Sequence, residues 1–415
     1  METLSLGDEA ARLPDELVAS HRLYHRRTVI APSTEPQAAS PAASVRVPTR
    51  HTPDLSAAWE CAAAAVRDGA VPSAVMGVAD ASGTLDVRAF PGPAEPALTT
   101  ESLFFLASVT KPIVATAVMQ LVDEGRLDLH APIARVVPEF QGPGKEAVTA
   151  WHVLTHTSGV PDADQEVLRR SRPSAAQMLQ RVCREPLDFE PGTRYGYASD
   201  SFYLLAAAIS RVTGMPFTEA LRRRVLAPVG AFDISFDPRA QRSRMVLVHG
   251  IPLGNRLVRE LILRFLARAT LPGGGLWGGA EDLLRFGRAM LPLESGAEPR
   301  LLSQASIDEM TREQTAGIIE TSADGTIRVP HYALGWGKPN PEGTAPSVLG
   351  TPPDTAVRVP ASPSSFTHGG AAGTRLWIDP DRELVFVFLT NQWGISDASM
   401  FATLAEVYRA WDAAG

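Results

Sequence analysis

Phe104-Phe105-Leu106-Ala107-Ser108-Val109-Thr110-Lys111-Pro112 runs straight into the apolar positions Ile113, Val114, Ala117, Val118, Leu121 and Val122. Those positions recur at helical spacing, and Gly125 marks the end of the helix they predict. Proline is tolerated in a helix only near its first turn, so Pro112 sets the helix start close to Ser108. Ser108 and Lys111, three apart, then share one helix face. A serine hydroxyl is a poor nucleophile until a base takes its proton. A lysine becomes that base when burial and a positive helix end lower its pKa. The same helix end presents backbone N–H groups to an oxyanion. The plain alternative is a capped helix with a surface lysine. Against it, the flanks are apolar and the chain otherwise uses arginine, with lysine only at 111, 145 and 338.

Working outward, Val75–Val78 and Leu85–Phe90 flank the turn Asp80-Ala81-Ser82-Gly83 and read as a strand pair. Leu55–Ala65 has helical patterning with Asp54 as its N-cap. Residues 203 to 212 and 281 to 290 are further helices. Thr374–Ile378 and Leu384–Thr390 read as two strands joined by Asp379-Pro380-Asp381. A hairpin first, a helical middle and strands again at the end predict a sheet built from both chain ends, with a helical lobe inserted at roughly 115–290. The fold class is α/β (α+β), two-lobed, with a cleft between the lobes. Residues 8 to 27 suit one amphipathic helix and 31 to 53 a Pro/Ala/Ser-rich linker, so 1–53 reads as an extension and 54–415 as the folded unit.

Composition narrows the function classes. The 415 residues are 45% apolar and 20% charged, as in a globular protein. A net charge of −7 argues against a general nucleic-acid binder. Cys61 and Cys183 have neither zinc nor redox spacing. No apolar run reaches the roughly 18 residues needed to span a bilayer. The first 30 residues lack the apolar core of an export signal, so a cytoplasmic location is expected. No metal motif such as His-Glu-x-x-His is present, and the Gly-x-Ser-x-Gly elbow is absent because Thr157-Ser158-Gly159 lacks its first glycine.

The Ser108-to-Lys111 segment resembles the active-site segment of the serine β-lactamase and penicillin-binding-protein superfamily, and further landmarks follow in order. Leu154-Thr155-His156-Thr157-Ser158-Gly159-Val160 is similar to its Leu-x-His-Thr-Ser-Gly stretch. Pro191-Gly192-Thr193 with Tyr195 to Ser199 and Tyr203-Leu204-Leu205 resembles the segment carrying its tyrosine. Gly273-Gly274-Gly275-Leu276 with Glu281-Asp282-Leu283 resembles its Gly-Gly-Leu loop and the helix after it. His368-Gly369-Gly370 stands at its third motif. The resemblance spans roughly residues 55 to 410 and is closest to the family VIII carboxylesterase branch, which is similar to class C enzymes in fold.

The resemblance implies roles. Ser108 is the nucleophile, Lys111 and Tyr197 share the proton work, and the N–H groups of Ser108 and Ala371 hold the oxyanion. Tyr195 is the alternative to Tyr197. A phenol near the lysine ammonium is easier to ionise, which would suit Tyr197 as general base. Ser199, His368, Gly369 and Gly370 would bind substrate. The family's second motif ends in asparagine and its third begins with lysine. Ser199 cannot bridge as an amide does, and a histidine is mostly neutral near pH 7 where lysine is charged. The glycines would let substrate lie against a strand edge. His156 and Ser158 read as structural, holding a turn.

Leu257, Val258, Leu261, Ile262, Phe265 and Leu266 form an apolar stripe opposed by Arg256, Arg259 and Arg264. Three readings stand: a helix packed on the core, a lid over an acyl pocket, or a membrane-attaching surface. The Pro-rich 339–365 stretch reads as a loop bordering the cleft. The expected function is a serine carboxylesterase acting on small-molecule esters through an acyl-enzyme, with no cofactor, metal, nucleic acid or membrane span. β-Lactamase, D-amino-acid amidase or peptidase, and acyltransferase are the enzymatic alternatives. A catalytically silent homologue binding acyl or peptidoglycan-like ligands is the other class.

Overall fold

The two apolar stretches at opposite ends of the chain meet in one sheet. The computed structural model describes residues 52–164, 168, 170–250, 256–292, 301–321, 325–339 and 358–415. In chain order the helices are α1 (Ser56–Arg67), α2 (Thr110–Asp123), α3 (Ala150–Leu154), α4 (Ala175–Arg184), α5 (Phe202–Thr213), α6 (Phe217–Leu221), α7 (Arg256–Ala269), α8 (Ala280–Arg288), α9 (Gln304–Thr311) and α10 (Ala398–Ala414). The strands are β1 (Ala74–Ala79), β2 (Thr84–Phe90), β3 (Phe104–Phe105), β4 (Trp277–Gly278), β5 (Glu320–Thr321), β6 (Ile327–Arg328), β7 (Phe366–Gly370), β8 (Thr374–Asp379) and β9 (Leu384–Leu389). The main sheet is antiparallel in the order β2-β1-β9-β8-β7. Val75 of β1 stands opposite Leu389 of β9, so the first and last strands are neighbours. That is the sheet expected from both chain ends.

Every residue of β1, β8 and β9 is buried because both sheet faces are covered. On one face α1 and α10 pack through Trp59, Trp377, Phe386, Tyr408 and Trp411. On the other α8 lies so close that a Cβ on Gly77 would meet Leu284 at 2.7 Å, and one on Gly287 would meet Val385 at 2.5 Å. Asp54 does not hold the cap position of α1, which Leu55 occupies; its carboxylate instead accepts the Ser56 N–H at 3.0 Å.

The expected apolar stripe of α2 is wider than a stripe, since Thr110 through Leu121 are all buried. Its polar members are satisfied inside: Thr116 donates to Pro112 O and Gln120 to the carbonyls of Arg224 and Leu301. The helix expected at 8 to 27, most of the 31–53 stretch, and 340–357 of the Pro-rich loop lie outside the described residues. No helix among the described residues is long and apolar enough to cross a membrane.

Candidate active site

The turn ahead of α2 is pinned from two sides. Leu106 donates its N–H to Leu276 O at 2.9 Å, and Leu106 O accepts the Thr374 hydroxyl at 2.8 Å. Ala107 then takes φ +48°, a left-handed conformation that costs a non-glycine residue about 1–3 kcal/mol and persists only where its surroundings hold it. The chain so turned starts a short 3-10 turn over Ala107–Val109 that continues into α2. Ser108 ends up half-buried and Lys111 fully buried, one turn apart.

Lys111 Nζ lies 3.2 Å from Ser108 Oγ, 3.0 Å from Ser199 Oγ and 2.6 Å from Gly273 O. A carbonyl can only accept, so Gly273 keeps one N–H. Ser199 can accept a second. A neutral amine then has its lone pair left for the Ser108 hydroxyl proton. Gly273 must be glycine for this, because a Cβ there would meet Ser199 O at 2.5 Å. Burial lowers the Lys111 pKa to about 7, with Asp162 and Asp200 opposing the fall. Near neutral pH the amine and ammonium forms are therefore both well populated.

Tyr197 stands beside this pair. Its hydroxyl is buried next to that of Ser108, whose hydrogen bonding only partly offsets the effect of burial on the phenol. Lys111 Nζ sits over the ring, 4.5 Å from its centroid, and not at the oxygen. Burial therefore governs the phenol and raises its pKa, opposite to the easy ionisation expected from a nearby ammonium. At rest Tyr197 is a protonated hydroxyl able to relay a proton. His156 fixes it from behind: their rings are 4.2 Å apart, His156 Nδ1 accepts the Ala198 N–H at 3.2 Å, and burial holds the imidazole neutral. Tyr195 packs edge-on against His156 and Tyr332.

The third motif is built differently from what its position suggests. His368 is 0% exposed; its Nδ1–H is assigned to Gly369 O at 2.8 Å and its Nε2 accepts the Tyr332 hydroxyl at 2.9 Å. Burial, then Lys111, pushes the ring well below the usual histidine range, so it is neutral and offers a substrate no charge. The glycines serve the protein's own packing. A Cβ at Gly369 would meet the Arg375 guanidinium at 2.7 Å, and one at Gly370 would meet Leu106 O at 2.3 Å. The missing side chains bring the end of β7 against the nucleophile turn, and with it Ala371, which packs in one cluster with Phe105, Ala107, Leu263 and Trp277.

Tyr332 was not legible beforehand, since nothing local links it to a histidine 36 positions on. It arrives through two bridges, Tyr332 with Gly337 and Gly337 with Thr367. The α7 stripe divides: Ile262 and Leu266 pack, with their neighbour Leu263, into the cluster beside Ala107 and Ala371, while Leu257, Val258 and Leu261 stay exposed.

Residues 55–408 match the profile of the Beta-lactamase family. The chain belongs to that family. Among its relatives, Esterase EstB of Burkholderia gladioli is 31% identical over 326 residues, 70% of this chain and 78% of EstB. Penicillin-binding protein 4 of Amycolatopsis lactamdurans is 32% identical over 248 residues, covering 58% of this chain and 62% of the relative. The crystal structure of a family VIII carboxylesterase shares the fold, with a TM-score of 0.67 at 22% identity, over 85% of this chain and 96% of that one. This Beta-lactamase-family chain thus presents the family's fold with Ser108, the fully buried Lys111 and Tyr197 grouped at the meeting of α2, the segment before α5, and β7.

Proposed function

We propose that this protein is a serine carboxylesterase. The observation that carries the reading is the fully buried Lys111 amine 3.2 Å from Ser108 Oγ with a pKa near neutrality. Ser108 Oγ attacks the ester carbonyl while its proton passes to Lys111 Nζ. The N–H groups of Ser108 and Ala371 hold the oxyanion. Collapse breaks the ester C–O bond, and the proton returns to the leaving alcohol from Lys111 with the Tyr197 hydroxyl as relay. Water then repeats the cycle on the acyl-enzyme and frees the acid.

Esters are favoured over β-lactams and peptides because the two groups that would grip a carboxylate and an amide are altered. His368 is neutral, and Ser199 is engaged by Lys111. EstB bears the name esterase, which supports the same choice. The catalytic unit spans 54–415. A cytoplasmic location belongs to the proposal, supported by the free thiols Cys61 and Cys183.

The test compares p-nitrophenyl acetate, butyrate and octanoate with nitrocefin, on the wild type and Ser108→Ala. Ester turnover that disappears in the variant, with little nitrocefin cleavage, supports the reading. Fast nitrocefin cleavage replaces it with a lactamase. Silence together with no labelling of Ser108 by a fluorophosphonate replaces it with a ligand-binding homologue.

A further inference from the structure

Two aspartates set back from the nucleophile lock the site's loops to one another. Asp162 Oδ1 accepts the Asp200 N–H at 2.7 Å, and Asp200 Oδ2 accepts the Ala163 N–H at 2.7 Å. Each carboxylate thus binds backbone on the other's segment. The stretch that follows His156 is fastened in register to the stretch carrying Tyr197 and Ser199. Asp200 is buried, and Arg181 of α4 reaches its Oδ2 at 3.2 Å. Ser199, immediately before Asp200, accepts from Lys111. The clamp is therefore one residue from the lysine's own hydrogen-bond partner.

The groups facing Lys111 come from every element around it. Ser108 lies on its own turn, His156 and Asp162 on the segment after α3, Tyr197 and Asp200 on the segment before α5, and His368 on β7. Both histidines are held neutral by burial, and burial keeps Tyr197 protonated. Arg181 stands beyond Asp200, and Arg375 acts on His368. The carboxylates left to act on the ammonium are Asp162 and Asp200. Burial, then Asp162, pushes Asp200 up to about 6, so its charge is in place at the Lys111 midpoint and is lost as pH falls below about 6.

We propose that Asp162 and Asp200 are a positioning pair, whose reciprocal clamp sets Tyr197 and Ser199 against Lys111 and whose charge keeps Lys111 basic enough to take and return the Ser108 proton. The proposal rests on the reading of Lys111 as the base. Neither carboxylate touches the reacting atoms. A buried lysine without these anions would hold a proton less well and be a weaker base toward the serine.

The chain has three lysines, so 13C-lysine labelling resolves Lys111 by NMR without any substrate. Asp162→Asn keeps an oxygen for the Asp200 N–H but removes the charge, which separates electrostatics from clamping. The Lys111 midpoint should fall by about half a pH unit or more in Asp162→Asn, and in the same direction in Asp200→Asn. The acid limb of kcat/KM on p-nitrophenyl butyrate should move with it. An unmoved Lys111 midpoint in both variants overturns the proposal, as does loss of the melting transition in both, which would leave only a structural clamp. The NMR titration needs no turnover. A lysine midpoint that moves in a protein inactive on esters would therefore sink the esterase reading and leave the pair standing.

Discussion

Tyr332 donates its hydroxyl to Nε2 of His368 at 2.9 Å, and the histidine's other nitrogen is occupied by Gly369 O. Both ring nitrogens are thus used inside the protein, in a site where burial already favours the neutral ring. The residue at the third motif is a fixed neutral strut, and its partner is a tyrosine from the loop ahead of Trp336.

Removing that partner tests the strut. Tyr332→Phe leaves a buried acceptor on His368 without its donor, which costs about 1–3 kcal/mol. Urea unfolding should show a lower midpoint with an unchanged m-value. Fluorophosphonate should still label Ser108, since the nucleophile does not bond to Tyr332. A midpoint equal to the wild type would mean the hydrogen bond contributes nothing net.

The nucleophile and its base are expected to fail in different degrees. Ser108→Ala should abolish both ester turnover and fluorophosphonate labelling, because the other hydroxyl at the buried amine, Ser199 Oγ at 3.0 Å, lies on the segment before α5 and not on the nucleophile turn. Lys111→Ala and Tyr197→Phe should each lose at least about 100-fold in kcat, the scale of one positioned proton-transfer group. Steady-state rates on p-nitrophenyl butyrate check all three, and a near-normal rate in Lys111→Ala would remove the lysine from the mechanism.

The sign of the pH dependence follows from which lysine form works. Only the amine accepts the serine proton, and burial places the Lys111 pKa at about 7. The acid form therefore dominates below that value and is inactive as a base. kcat/KM should climb as pH rises through about 7 and fall toward pH 5, measured in buffers of constant ionic strength. A flat profile from pH 5 to 8 would contradict a lysine base.

Much of this was readable in the chain because it is local or apolar. Ser108, Lys111 and Pro112 are adjacent in sequence, so the start of α2 and the shared face needed no tertiary information. β1 and β9 are apolar runs, and burial on both sheet faces is why they are apolar throughout. What escaped depends on contacts between distant segments. The ionisation of Tyr197 turns on whether the ammonium lies at the oxygen or over the ring, which no spacing reveals. The Tyr332–His368 pair depends on the Gly337–Thr367 bridge. The roles of Gly369 and Gly370 are visible only once Arg375 and Leu106 are seen behind them.

Gly370 provides the sharpest test of that last point. An added Cβ would lie 2.3 Å from Leu106 O and 2.3 Å from Thr374 Oγ1, the two atoms whose own hydrogen bond anchors the nucleophile turn. A backbone oxygen has nowhere to go, so Gly370→Ala must push β7 and Ala371 away from Ser108. Overpacking of this kind costs about 1–3 kcal/mol, while the loss of one oxyanion donor lowers kcat by about 100- to 1,000-fold. Activity should therefore fall far more than stability, read as kcat beside the melting temperature. Gly83→Ala is the control: nothing lies within 4 Å of its added Cβ, and both readouts should stay near wild type. Equal modest losses of rate and stability in Gly370→Ala would mean that β7 does not position the oxyanion site.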